Sequence, residues 1–430
     1  MNFRPSSAPR LSRRAWLGAT AAVALTPRSR AEARASGKRP RIALLCTEIR
    51  LRAHAQHFLD RLAVGYALGG RWHAPRVEIA GVFVDQRPAN DLSRDRLKRY
   101  GLRDFPTIEE AVTLGGERLA VDGVVIIGEH GDYPRNERGQ TLYPRHAWFK
   151  RVVQVFADSG RAVPVFNDKH LSTSWDECLE MVAASRRLGF AMLAGSALPV
   201  TFREPEIDIP GDAPLTESVC VGFGALDSYD FHALEAAQCM SERRRGGEAG
   251  VASVQAIRGP RLWEVLAAAD RTHTRELLLA ALSRSHSLPV TEGYVRAPLT
   301  FDWARDALAD SVGYLCEHRD GFQTTTVLAP INDFNYAGRL ADTGAVVSCQ
   351  MRLPMPRDGA TTADFFNPLV HHIENLVLEE RAAYPVERTL LTSGMLIEAL
   401  ESLHAGGILR RTPRLDVAYP AVQESTFWRG

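Results

Sequence analysis

From Arg41 onward the chain alternates short apolar runs with stretches of helical spacing. The runs are RIALL from Arg41, VEIAGVFV from Val77, VDGVVII from Val121, AVPVF from Ala162 and FAML from Phe190. Between them, apolar residues recur at helical intervals over Ile49–Tyr66, Leu92–Tyr100, Thr107–Leu114, Pro144–Asp158 and Ser174–Leu188, and Thr107 with Glu110 forms a capping box. Strands this short and this apolar must be covered on both faces, so the pattern predicts βαβ units and a parallel sheet. After Gly195 the texture changes. Pro199, Pro205, Pro210 and Pro214 interrupt the chain, and strand-like runs such as SVGYLCEH, FQTTTVLAP and AVVSCQMRL follow in series. Helical patterns over Thr362–Leu378 and Arg388–Ala405 close it. The expected fold is α/β: an N-terminal Rossmann-like parallel-sheet domain over 36–195, then a C-terminal α+β domain over 196–430 with a largely antiparallel open sheet.

The first 35 residues read as a leader. Arg10, Arg13 and Arg14 precede the apolar stretch Ala15–Leu25, and small residues follow at Ala31, Ala33 and Ala35. The run Ser12-Arg13-Arg14-Ala15-Trp16-Leu17 resembles a twin-arginine export signal, which implies a periplasmic or extracellular mature protein that folds before export. No apolar run reaches 18 residues, so no membrane span is expected in the mature protein. Lys and Arg total 52 against 51 Asp and Glu, a balance that gives no reason to expect nucleic acid as a partner. Six cysteines, none in a CxxC pair, read as buried free thiols.

Ligands of a parallel sheet bind beyond the carboxyl ends of its strands. The run Ala162–His170, AVPVFNDKH, stops at Asn167-Asp168-Lys169-His170 and so offers Lys169 to a site. Asp85, ending the second strand, stands where an acid accepts the hydroxyls of an adenosine ribose. The turn after the first strand, Cys46-Thr47-Glu48-Ile49-Arg50, has no glycine, and the Glu48 carboxylate is expected to repel a pyrophosphate that Arg50 and Arg52 would attract. The third strand ends in Gly128-Glu129-His130-Gly131, two glycines bracketing a Glu-His pair. Farther on, His232 and Glu235 share one helix face, as do Gln238 and Glu242. Such faces suit either proton transfer or a metal bound by Glu129, His130, His170, His232 and Glu235. The charge run Glu242–Glu248 reads as a solvated turn.

A strand ending in Asp168-Lys169, followed in a second domain by a His232-x-x-Glu235 helix, resembles the Gfo/Idh/MocA oxidoreductases, which include glucose–fructose oxidoreductase and inositol dehydrogenases. The resemblance runs from Arg41 to Tyr419 and takes in the tail YPVERTLLTSGMLIEALESLHAGG. It is nearest a bacterial subgroup carrying GEHGDYPRNE, NDKHLS and FHALE-x-x-QCM-x-ERR-x-GGE. It implies a Rossmann domain, then an antiparallel sheet with helices on one face. It also implies NAD or NADP as cofactor, a sugar or polyol as substrate, and a homo-oligomer. By the same resemblance Lys169 and His232 are catalytic, with Glu235 and Asp227 assisting, Asp227 lying beside Ser228 where the family has an aspartate. The resemblance and the loop positions together place Thr47, Arg50, Asp85, Gly128, Glu129, His130 and Asp168 at the cofactor. His170 replaces the family's proline, and Gly131–Tyr143 is a larger loop than is usual there.

The expected function is an exported oxidoreductase on a sugar or polyol that retains its NAD(P), with the Lys169 pKa lowered by neighbouring cationic groups. Two alternatives share the scaffold: a metal-assisted carbohydrate lyase or hydrolase, and a carbohydrate-binding relative without chemistry.

Overall fold

The computed structural model describes residues 38–354 and 361–427. The leader expected over 1–35 lies outside the described residues. Five parallel strands form the first sheet, in spatial order Glu78–Val84, Arg41–Cys46, Gly123–Ile127, Val165–Asp168 and Met192–Gly195. Beyond Glu78–Val84, a parallel bridge between Val82 and Asp104 adds one more rung. The order reverses between Arg41–Cys46 and Gly123–Ile127, which makes their carboxyl ends a topological switch point.

Alternate residues of the first strand are buried on opposite faces, which is why the run is apolar throughout. Ala43 and Leu45 pack with helices Ile108–Thr113, Arg145–Ser159 and Trp175–Leu188. Ile42, Leu44 and Cys46 pack with helix His54–Val64 and, from far along the chain, helix Asn367–Glu379. The Thr107 hydroxyl accepts the Glu110 N–H at 3.1 Å, closing the N-terminus of Ile108–Thr113 as its capping box predicts. Thr107→Ala should therefore cost about 1 kcal/mol in urea unfolding, with the fold unchanged.

The first helix begins at His54, not Ile49. Arg52, at φ +69°, takes a left-handed conformation that breaks the helical path before it. Gly65 ends the helix, and Tyr66–Leu68 pairs with Arg71–His73 around Gly69-Gly70, a hairpin the helical spacing does not announce.

The second sheet has eight strands, antiparallel except where Leu215–Gly222 runs parallel to Gln323–Leu328. Helices Tyr229–Ser241 and Val386–His404 cover the face carrying Cys220, Tyr314 and Tyr336. The opposite face is also covered. Val219, Val221 and Leu315 pack there with Leu262 and Trp263 of helix Pro260–Leu266, with Leu277 and Leu278 of Thr272–Leu282, and with Ala304 of Phe301–Ala307. The one-sided cover implied by resemblance does not hold here. The chain's own helices occupy the outer face.

Glu242–Glu248 is not a solvated turn. Glu242, Arg243, Arg244 and Glu248 are buried. Arg388 donates to Glu242 at 2.9 and 2.5 Å, and Arg244 and His318 meet Glu248 at 3.0 and 2.9 Å. Buried charges persist only with such partners. All six cysteines are free and buried.

Candidate active site

The strand Val165–Asp168 ends in a turn that Lys169 makes at φ +64°, its N–H donating to Gly195 O at 3.0 Å. His130, in the loop after the third strand, is left-handed as well, at φ +70°. Two bulky residues in that sparsely populated region beside one cavity mark stored backbone strain of the kind found at functional sites. The cavity has a volume of about 810 Å³ and is lined by Glu129, His130, Lys169, Ser228, Tyr229 and His232, among others, and along one flank by helix His54–Val64.

Lys169 is 2% exposed. Its ammonium lies 3.0 Å from Glu129 Oε1, donates to Ser228 O at 3.0 Å, and sits 5.7 Å from the centre of the Tyr229 ring. The other Glu129 oxygen accepts from Arg145 at 2.6 Å. Burial alone would lower Lys169, but the Glu129 carboxylate outweighs it and holds the lysine above its ordinary pKa. The lowered lysine expected from its cationic neighbours is thus reversed. Burial likewise disfavours the Glu129 charge, yet Lys169 and Arg145 together hold that carboxyl well below the usual range. Both members of the pair are ionised at neutral pH.

The histidines behave oppositely. Burial, then Lys169 and His54, push His232 well below the ordinary imidazole pKa, and burial takes His130 down to about 3. The buried His232 Nδ1 and His130 Nε2 have no hydrogen-bond partner among the described residues. The cavity therefore joins a fixed cation to neutral imidazoles, a combination able to hold a substrate oxygen and accept its proton.

Other residues singled out in the sequence sit around this centre or away from it. Thr47 is buried, its hydroxyl donating to Glu129 O at 2.6 Å, and so anchors the loop. A Cβ on Gly128 would lie 2.6 Å from Arg145 Cγ, so that glycine makes room for the arginine. His170 Nε2 lies 2.9 Å from Arg145 Nη1, and Asp227 Oδ2 accepts the Thr141 N–H at 2.6 Å, tying the long loop to the start of helix Tyr229–Ser241. Neither residue lines the cavity. Glu235 points elsewhere too: it accepts the Ser196 N–H at 2.9 Å, and burial pushes its carboxyl up to about 7. Of the five groups considered as metal ligands, Glu129, His170 and Glu235 are held by other partners, and among the described residues no three His, Cys, Asp or Glu side chains are placed to hold a metal ion. Asp168 is wholly buried, and its Oδ2 lies 2.7 Å from His54 Nδ1. The sequence gives no reason to single out His54.

No protein-family model and no curated protein sequence matches the chain. Solved structures do. GenD2 from gentamicin A biosynthesis, in complex with NAD, matches with a TM-score of 0.52 at 14% identity, over 87% of this chain and 96% of its own. A scyllo-inositol dehydrogenase from Lactobacillus casei, with bound NAD(H) and scyllo-inositol, matches with a TM-score of 0.51 at 10% identity, over 87% of this chain and 99% of its own. The chain has the fold of these dehydrogenases. At such identity the likeness carries architecture, and chemistry must be read from the side chains.

Of the strand-end residues expected at a dinucleotide, Glu129 and His130 line the cavity and Asp85 does not. Asp85 is exposed at the end of the second strand; Tyr133 donates to its Oδ2 at 2.6 Å, and its Oδ1 accepts nothing among the described residues. Arg52 adopts, without glycine, a left-handed turn just before helix His54–Val64, whose N-terminus favours an anion. The repulsion expected from Glu48 is offset, because that buried carboxylate accepts from Arg50 Nε at 2.5 Å. Arg50 is thereby engaged through Nε by Glu48 and through Nη1 by Leu51 O.

Proposed function

We propose that the protein is an exported oxidoreductase that acts on a hydroxyl-bearing carbon of a sugar or polyol and carries NAD or NADP tightly bound. The observation that carries this reading is the buried Lys169–Glu129 ion pair sharing one cavity with the neutral His232, at the strand ends of a dehydrogenase fold. Asp85 would hold the adenosine ribose, and Arg52 with the N-terminus of helix His54–Val64 would hold the phosphates. Gly128–His130 would border the nicotinamide. A bound NAD or NADP would supply the hydride acceptor for the carbinol carbon.

The chain's own residues do the rest. Lys169, kept charged by Glu129, donates a hydrogen bond to the substrate oxygen and stabilises the negative charge that grows on it. His232, neutral and buried, receives the hydroxyl proton. Export is supported by the twin-arginine pattern at Arg13-Arg14 and agrees with six thiols that need no oxidising compartment. Free dinucleotide is scarce outside the cytoplasm, which favours a cofactor loaded before export and regenerated in place.

Mass spectrometry of small molecules released from freshly purified, folded protein should find NAD or NADP at about one per chain. Absence of a released nucleotide, together with no heat of binding on adding NAD or NADP, overturns the proposal.

A further inference from the structure

Four histidines line the cavity: His54, His57, His130 and His232. Of these four, His54 is the one hydrogen-bonded to a carboxylate of a described residue, through Nδ1 to Asp168 Oδ2 at 2.7 Å. Asp168 is fully buried, and His54 keeps 15% of its side chain exposed. A carboxylate in that position holds the imidazole with its proton on Nδ1, leaves Nε2 as the free acceptor, and stabilises the cation when Nε2 is protonated. His54 Nε2 makes no hydrogen bond to any described residue. Its ring centroid lies 6.3 Å from that of His232 at a 30° tilt, and 5.5 Å from that of His130. At a centroid separation of 6.3 Å no pair of ring nitrogens lies within hydrogen-bond distance, so a proton passing between the rings needs an intervening water or substrate hydroxyl.

Asp168 also links the two parts of the centre. It immediately precedes Lys169, so one strand end sets both the cation that holds the substrate oxygen and the carboxylate that supports His54. His232 has no such support: it is buried, its Nδ1 is unpartnered, and the ammonium of Lys169 opposes a second positive charge beside it.

We propose that His54 and Asp168 form a proton-accepting dyad on which the hydroxyl proton comes to rest before it leaves for solvent. This rests on the oxidoreductase reading for the origin of the proton. The O–H bond of the substrate breaks as His232 takes the proton. The N–H bond so formed then breaks in turn, through the bridging group, as an N–H forms on His54 Nε2. The cation ends paired with Asp168, the hydride having gone to the dinucleotide. His54 acts at the open side of the cavity and Asp168 positions it.

The first test needs neither substrate nor cofactor. In full-length protein labelled with ¹⁵N-histidine, long-range ¹H–¹⁵N spectra should show neutral His54 as a single tautomer with its proton on Nδ1. In Asp168→Asn the tautomers should mix. A neutral His54 protonated on Nε2 in the wild type overturns the dyad, whatever the fate of the oxidoreductase reading. The second test uses cofactor-loaded enzyme and an inositol or hexose that the wild type oxidises. His54→Ala should lose about 10²-fold in kcat, and added imidazole should restore part of it in a concentration-dependent way. Loss of kcat without rescue, in a variant whose melting temperature and dinucleotide content match the wild type, overturns the relay. Absence of dinucleotide and of any oxidised substrate in the wild type removes the relay and leaves the dyad to the spectra.

Discussion

Lys169→Met is expected to fold, to keep its dinucleotide, and to lose turnover by about 10²–10³-fold, the effect of deleting one donor to a developing oxyanion. Methionine is near lysine in length and fills the same buried slot without a charge. Glu129 is not left alone by the change, because Arg145 still donates to it at 2.6 Å. Lys169 gives up both its ion pair with Glu129 and its hydrogen bond to Ser228 O, so the cost in stability should be that of breaking a buried pair, roughly 3–5 kcal/mol in urea unfolding. Removing Glu129 as well should recover little turnover, since the carboxylate acts by keeping Lys169 charged. The measurement is kcat and KM on any polyol the wild type oxidises, beside circular dichroism to verify the fold. Unchanged turnover with altered ligand affinity would favour a binding protein that kept the scaffold and lost its chemistry.

How far these residues could be read from sequence depended on how local their reasons were. Asp168-Lys169 was legible because a buried strand that stops at charged residues must put them at a sheet end, and the structure does so. His54 was not, because helical spacing carried the first helix back to Ile49 and placed the histidine inside it. Only the left-handed turn at Arg52 brings His54 to the helix start, 114 residues in sequence from Asp168. Glu129 was visible as a loop residue, but its effect on Lys169 reverses the direction of the lysine pKa shift argued from charged neighbours on the sequence. The buried cluster around Glu242–Glu248 failed for the same reason. Its partners Arg388, His318 and Tyr419 are remote in the chain, and a charge run whose partners are unseen reads as solvated. The cover on the outer face of the second sheet rests on Leu262, Trp263, Leu266, Leu277 and Leu278, a helical pattern in a stretch read without helices.

Glu235→Gln is expected to stabilise the protein at pH 8 and to do so much less at pH 5. The carboxyl is buried among the backbone of Gly195-Ser196 and the hydroxyls of Tyr384 and Thr389; it holds one hydrogen bond, from Ser196 N–H, while its Oε1 has no partner. A Cβ on Gly195 would lie 2.9 Å from Tyr384 Oη and 3.2 Å from Thr389 Oγ1, so Oε1 and both hydroxyls surround the same point. Burial, only partly offset by the Ser196 bond, pushes the carboxyl from 4.5 up to about 7. Between those values the folded protein keeps a proton that the unfolded chain has released, so stability falls as pH rises. Above pH 7 the loss is complete, on the order of 3 kcal/mol for a shift of this size. Glutamine keeps the acceptor for Ser196 N–H. Its NH₂ can donate to the hydroxyl oxygens of Tyr384 or Thr389, whose own protons go to Ala194 O at 2.9 and 2.7 Å. Every other titrating group is common to both proteins, so the difference between their urea-unfolding free energies at the two pH values isolates Glu235. An equal difference at pH 5 and pH 8 would mean that this carboxyl does not carry the burial cost assigned to it. A larger gain at pH 8 would show that the buried Glu235 carboxylate costs the fold stability beside Gly195-Ser196.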